Sequence, residues 1–327
     1  MKNIKRILAL VLTLAFAAAA CFTLVSCGNS TKTDEKYTVG IVQLVAHPAL
    51  DAATEGFKQA LKDKLGDKVE FDEQNASGDF SLCTTIVGSF VSKKVDLIMA
   101  NATPALQAAA NATLTIPILG TSITEYGVAL DIKGFNGTVG GNISGTSDLA
   151  PLDEQAQMII DLIPGVQKVG LLYCSAEANS KYQVDKVKEY LENKGLTATL
   201  YPFADSNDIQ VVMNKAVTEV DVIYVPTDNT AANSTGVINS ISHESGVPVV
   251  AGEEGITKGC GTFTLSISYY NIGYKTGEMA AQILTGAAKI SEMPIAYDES
   301  PVRKYNAENV EFFKLTVPQG YVAVEKD

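Results

Sequence analysis

The chain has 327 residues, 46% of them apolar, and carries 37 acidic against 25 basic side chains for a formal net charge of −12. So acidic a surface repels nucleic acid and anionic lipid, which argues against both as partners and leaves small neutral or zwitterionic molecules, or other proteins, as targets. The length suffices for two domains of ordinary size, each with its own core.

The chain opens with Lys2, Lys5 and Arg6, continues through an almost wholly apolar run from Ile7 to Ala20, and closes the segment with Leu24-Val25-Ser26-Cys27. That order predicts a secretory signal peptide over residues 1–26. Leu-Val-Ser-Cys also resembles a bacterial lipobox. The resemblance implies that the Cys27 thiol takes a diacylglyceryl group, that cleavage falls on its N-terminal side, and that the polar stretch 27–36 tethers an extracytoplasmic body to the cell membrane. Cys21, after three alanines, is a poorer lipid acceptor, and a transmembrane anchor with an incidental cysteine is the competing reading. Cys83, Cys174 and Cys260 are odd in number and far apart, which argues against a disulfide framework and reads as small buried apolar residues. Two histidines without clustered ligand spacing give no metal site.

From Tyr37 onward, short β-branched runs alternate with helical apolar spacing. Strands are predicted at Tyr37 to Val42, Val69 to Asp72, Val95 to Ala100 and Ile116 to Leu119, with helices at Leu50 to Leu65, Ser81 to Ser92 and Pro104 to Thr113. A glycine-rich stretch, Gly134 to Gly145, breaks this rhythm before Pro151 opens a helix. The pattern then repeats: strands at Val169 to Tyr173, Ala198 to Tyr201, Asp221 to Val225 and Val247 to Ala251, helices at Ser180 to Asn193, Asp208 to Val217 and Asn229 to Ser245. Thr262 to Ser268 reads as a further strand and Tyr270 to Leu284 as an amphipathic helix. Such repeats imply an α/β fold of two parallel sheets, each covered on both faces. The proline-punctuated last 40 residues resist placement.

In an open parallel sheet the ligand lies beyond the carboxyl ends of the strands. The loops there are rich in hydroxyls, amides and carboxylates and free of cationic side chains, a composition suited to a zwitterion. The ligand-binding candidates are His47, Asn75, Thr103, Ser122, Thr124, Asp148, Asn179, Asp228 and Glu253. Asp228, after a buried strand and before a helix, offers a carboxylate to a ligand ammonium or caps that helix. Thr103 and Ser122, with neighbouring N–H groups, suit a carboxylate. Asp148 either meets ligand or braces a hinge. His47 suits packing or stacking, a catalytic role needing a partner that spacing does not reveal. Gly140-Gly141-Asn142-Ile143-Ser144-Gly145 lacks the lysine of a phosphate loop and the helix of a dinucleotide loop, so no cofactor is implied.

Six segments in order, His47-Pro48-Ala49-Leu50-Asp51, Gln74 to Asp79, Ala102-Thr103-Pro104-Ala105, Ser147-Asp148-Leu149, Val225 to Asn229 and Gly277 to Ala281, resemble the ABC transporter substrate-binding protein family that includes tryptophan and tyrosine binders. The resemblance implies a type I periplasmic-binding protein fold: two Rossmann-like lobes joined by a three-crossing hinge, with a small solute between them. On that basis residues 37–146 with about 265–292 form one lobe, and 147–264 with about 293–327 the other. Crossings fall in the glycine-rich stretch ending at Asp148, in Thr262 to Ser268, and near Pro294. Glu125 and Glu253 stand where the family often has aspartate, which bears on ligand choice.

The function so implied is a lipid-anchored receptor that passes an amino acid, aromatic ones included, to an ABC permease, and is not an enzyme. Two other readings compete: presentation of the solute to a membrane sensor, and a cell-surface hydrolase. For the latter Glu253 and Glu254 would be the carboxylate pair, but neighbours on extended chain point opposite ways.

Overall fold

The computed structural model describes residues 36–298 and 300–325. The signal segment 1–26, Cys27 and the tether as far as Glu35 lie outside the described residues. Five strands of the first sheet come early in the chain: β1 (Tyr37–Gln43), β2 (Val69–Asn75), β3 (Leu97–Asn101), β4 (Ile118–Ile123) and β5 (Ile143–Ser147). The second sheet takes β6 (Lys168–Cys174), β7 (Thr197–Phe203), β8 (Val222–Val225), β9 (Val249–Ala251) and β10 (Phe263–Ser266). Their orders, β5-β4-β3-β1-β2 and β10-β9-β8-β6-β7, are the same path walked twice, and all these neighbours run parallel.

Alternation of side chains puts successive strand residues on opposite faces, and both faces are apolar because helices cover both. In β3, Ile98 and Ala100 join one core cluster while Leu97 and Met99 join the other. Leu171 and Tyr173 in β6 likewise part from Leu172 and Cys174. Cys83, Cys174 and Cys260 are buried and free, and burial pushes the first two thiols up to about 11.

The sequence left the tail unplaced; the structure divides it between the sheets. β11 (Ala296–Tyr297) adds to the outer edge of the first sheet beside β5, while β12 (Val302–Tyr305) and β13 (Val322–Ala323) extend the second beyond β10, β12 running antiparallel to it. The chain therefore passes between sheets at residues 148–151, 267–268 and 298–301, the last a few residues beyond Pro294. The single helix expected over Asn229 to Ser245 is two, Asn229–Ala232 and Thr235–Ser245, the break falling at Asn233-Ser234.

Helix α1 (Pro48–Leu65) follows β1, and a late helix, Tyr269–Leu284, returns from β10 to lie against it. Glycines set their separation. A Cβ on Gly273 would stand 2.0 Å from the Ala53 carbonyl oxygen, one on Gly277 2.5 Å from that of Phe57, and one on Gly56 2.2 Å from that of Tyr270. Backbone meets backbone there, so no side chain can yield. Gly273→Ala is expected to destabilise the protein by about 2–3 kcal/mol in a denaturant titration. Gly88→Ala, at a helical site with nothing within 4 Å of the new methyl, should instead stabilise by about 0.5–1 kcal/mol.

Candidate ligand-binding site

The carboxyl ends of both sheets supply the predicted residues. In the first lobe His47 is the N-cap of α1, Thr103 opens a helix, Thr103–Ala112, directly after β3, Ser122 ends β4 with Thr124 just beyond, and Asp148 follows β5. In the second, Asn179 lies in the first turn of Ala178–Asn193, while Asp228 and Glu253 cap the short helices after β8 and β9. All eight are buried. Asn75 is the correction. It is exposed at the end of β2, where its Oδ1 accepts the Ser77 N–H at 2.8 Å, so its amide serves a local turn instead of the buried cluster.

The two lobes touch through this cluster. His47 Nε2 lies 3.3 Å from Asn229 Oδ1, and Gln183 Nε2 donates to Thr124 Oγ1 at 3.4 Å. Gln183 and Asn179 also donate to the Thr227 carbonyl, each at 3.1 Å. The Tyr269 hydroxyl donates to Asp148 Oδ2 at 3.0 Å, joining the first passage between lobes to the second.

Four carboxylates are buried here, and neither lysine nor arginine is buried among the described residues. Glu177 accepts from the N–H and hydroxyl of Thr230, from the N–H and side-chain amide of Asn229, and from the Asn179 amide. Asp228 accepts from the N–H groups of Cys174 at 2.6 Å and Ala231 at 2.8 Å, so both its oxygens serve the second lobe itself. Glu253 takes the N–H groups of Gly255 and Ile256, while Glu254 points away to Lys304, so the two do not form a facing pair. Burial pushes Asp148 up to about 6 and Glu253 up to about 7, and burial together with the nearby Glu177 raises Asp228.

Donors gather on the first lobe. Ala102 and Ser122 adopt φ of 88° and 56° at the ends of adjacent strands, a strained backbone for residues with a Cβ. The helix that starts at Thr103 leaves its first-turn N–H groups without intrahelical acceptors, a setting for an anion. Buried polar atoms lacking any protein partner include His47 Nδ1, Ser122 Oγ, Asp148 Oδ1 and Asn179 Oδ1. Such atoms are rare because each forfeits its hydration, and four from one seam mark where a polar ligand completes the bonding.

Sequence reasoning passed over Glu177, Gln183, Asn229 and Tyr269. Gln183 stands four residues after Asn179 on one helix face, and Tyr269 opens a helix directly after the second passage between lobes, so spacing carried a signal for both.

Two parallel-sheet lobes that enclose a polar seam and are joined by three chain passages define a solute-binding protein of the type I periplasmic-binding class. Residues 38–317 match the family described as ABC transporter substrate binding protein, and the chain belongs to that family. It is a family of solute receptors, not of enzymes. The chain is 36% identical over 304 residues to a tyrosine-binding protein of Clostridioides difficile (strain R20291), covering 88% of each. An ABC domain from Streptococcus pneumonia in complex with L-Trp is 31% identical and superposes with a TM-score of 0.84, over 88% of this chain and 100% of that one. A ligand-free, open structure of a substrate binding protein with adhesive properties from Clostridium difficile is 35% identical, yet superposes at only 0.68 over 89% and 100%. The better fit goes to the ligand-bound relative despite its lower identity.

The raised acids make closure depend on pH. A carboxyl whose folded pKa exceeds its unfolded value stabilises the fold fully below the unfolded value, and that contribution is lost as pH rises through the folded one. For Asp148, rising from 3.8 to about 6, the effect is of order 2–3 kcal/mol. The melting temperature of ligand-free protein should therefore fall between about pH 4 and 7, and Asp148→Asn should flatten the part of the decline between about pH 4 and 6. A profile that is flat for the native protein would contradict this account.

Proposed function

We propose that the protein is the substrate-binding component of an ABC importer, held outside the cytoplasm by lipid on Cys27, and that it captures a free L-α-amino acid, aromatic ones included, between its lobes. The observation that carries the reading is Asp148 Oδ1, a buried carboxylate oxygen without a donor in a seam that buries no cationic side chain. A ligand ammonium supplies that donor and the missing charge. The ligand carboxylate goes to Ser122, Thr103 and the N–H groups of the helix that Thr103 opens. The sequence made Asp228 the first choice for the ammonium, but its oxygens are already bonded, and its role in this reading is to hold the second lobe's rim in shape. Thr124, Asn179, His47 and Glu253 complete the wall.

The aromatic preference draws support from the relatives, one named for tyrosine and one holding L-Trp. In this reading one lobe takes the first sheet, with the chain returning to it through Tyr297, and the other lobe takes the second sheet. Hinge closure converts capture into a shape that a permease reads. Delivery to a permease, instead of to a sensor, is tested by loss of labelled amino-acid uptake when the protein is deleted.

A thermal-shift screen of the twenty amino acids, sugars and nucleosides tests the ligand class: amino acids should stabilise the protein, and stabilisation by sugars or nucleosides alone would refute the assignment. Asp148→Asn should weaken amino-acid binding by about two to three orders of magnitude, since an unpaired buried charge costs roughly 3–5 kcal/mol. Cys27→Ala should be secreted yet washed from membranes, because a polar tether without acyl chains has no hold on a bilayer. Undiminished membrane retention of that variant would rule out the lipid anchor.

A further inference from the structure

Asn229 fixes the protonation of His47. Its side-chain nitrogen donates to Glu177 Oε2 at 2.6 Å, and Glu177 accepts four further hydrogen bonds, the behaviour of an ionised carboxylate. The amide must therefore turn its NH2 toward Glu177, which leaves Oδ1 to face His47 Nε2 at 3.3 Å. Nε2 is thus the protonated nitrogen. Burial lowers the pKa of this imidazole, against the pull of Glu177 and Asp51, and keeps the ring neutral. In a neutral ring with Nε2–H, Nδ1 is an acceptor, and this buried acceptor has no donor.

Its position along the site follows from sheet order. The first sheet runs β5-β4-β3-β1, so His47 after β1 and Asp148 after β5 are three strand spacings apart, roughly 14 Å at about 4.8 Å each. Thr103 and Ser122, at the ends of β3 and β4, lie between them. The second lobe repeats the layout. Glu253 acts electrostatically on Asp148, while Asn179, with its own unpartnered Oδ1, bonds Glu177 at the His47 end. One end of the site therefore offers a carboxylate and the other two neutral acceptors, over a span that suits a long amino acid lying across the strand ends.

We propose that His47 reads the side chain of the ligand: its Nδ1, seconded by Asn179 Oδ1, accepts a hydrogen bond from an N–H or O–H group at the tip of an aromatic ring, so that phenol- and indole-bearing amino acids are taken in preference to a plain phenyl one. This rests on the amino-acid reading of the site. A site built to accept such a bond rejects the analogue lacking it, because the buried acceptor is then left dry.

Calorimetric titration with L-tyrosine, L-tryptophan and L-phenylalanine decides the matter. The native protein should prefer at least one of the first two over phenylalanine by tenfold or more. His47→Gln sets an amide nitrogen where Nε2 stands and nothing at Nδ1; once its melting curve confirms folding, that preference should fall to about one. His47→Asn, with an amide oxygen near the Nδ1 position, should keep most of it. In 15N spectra of native protein, the unprotonated Nδ1 resonance should move with the preferred ligand and not with phenylalanine. Equal binding of the three, or an undiminished preference in His47→Gln, overturns the His47 assignment while leaving the amino-acid reading intact. Failure of all three to bind overturns both.

Discussion

The hydrogen bond from the Tyr269 hydroxyl to Asp148 Oδ2 sets the terms for the rest of the molecule. It ties two of the three passages between lobes to each other at the floor of the seam, and the Ser268 N–H bonded to Asp298 Oδ2 at 2.9 Å ties in the third. Because one oxygen of Asp148 is held this way, the other stays oriented and without a donor. A freely rotating carboxylate would find water or a neighbouring hydroxyl; a braced one waits for a ligand. In the reading proposed above, the same group is both hinge strut and recognition element, two roles that the sequence had set against each other.

Charge sets what the seam lacks. Asp148, Glu177, Asp228 and Glu253 are buried with no basic side chain among them. Glu177, Asp228 and Glu253 are compensated by N–H groups at the starts of short helices, so their charge is spread into the backbone of the second lobe. Asp148 has the hydroxyls of Thr124 and Tyr269 beside it instead of a helix start, and its Oδ1 is left without a partner. The first lobe answers with donors instead of cations: strained turns at Ala102 and Ser122 present polar groups without adding a side chain whose bulk would fill the site.

Much of this was legible in the sequence because it rests on periodicity. Apolar runs of strand length separated by helical spacing gave two parallel sheets, and the rule that ligands bind at strand carboxyl ends led to eight of the nine chosen residues being buried in one seam. Asn75 failed because a loop at the right end of a strand can still turn outward, and β2 is the edge strand, farthest from the hinge. Asp228 and Glu253 show a different limit. An acid before a helix has the same local chemistry whether it caps that helix or meets a ligand, and only the count of hydrogen bonds at each oxygen separates the two. Tyr269 and Gln183 were missed because their partners, Asp148 and Thr124, are distant in sequence, and pattern alone does not report such pairings. The tail escaped because its strands are two to four residues long, too short for alternation to register.

The order of the chain has a consequence for how the protein is made. Strands β6 to β10, the parallel part of the second sheet, come from one uninterrupted stretch, whereas the first lobe needs the helix Tyr269–Leu284 and the edge strand Ala296–Tyr297, both added after those strands have passed. Until that helix arrives, the α1 surface around Ala53, Gly56 and Phe57 has nothing to lie against. The amino-terminal lobe is thus still incomplete when β6 to β10 have been made, although it is the first to be synthesised, and β12 and β13 then finish the second sheet. Its Tyr274–Asp63 hydrogen bond joins residues 211 apart, and closing so long a loop carries an entropy cost. On the proposed lipid-anchored reading, in which the chain crosses a membrane before it folds, a leading half that is incomplete without its trailing end remains loose enough to be threaded.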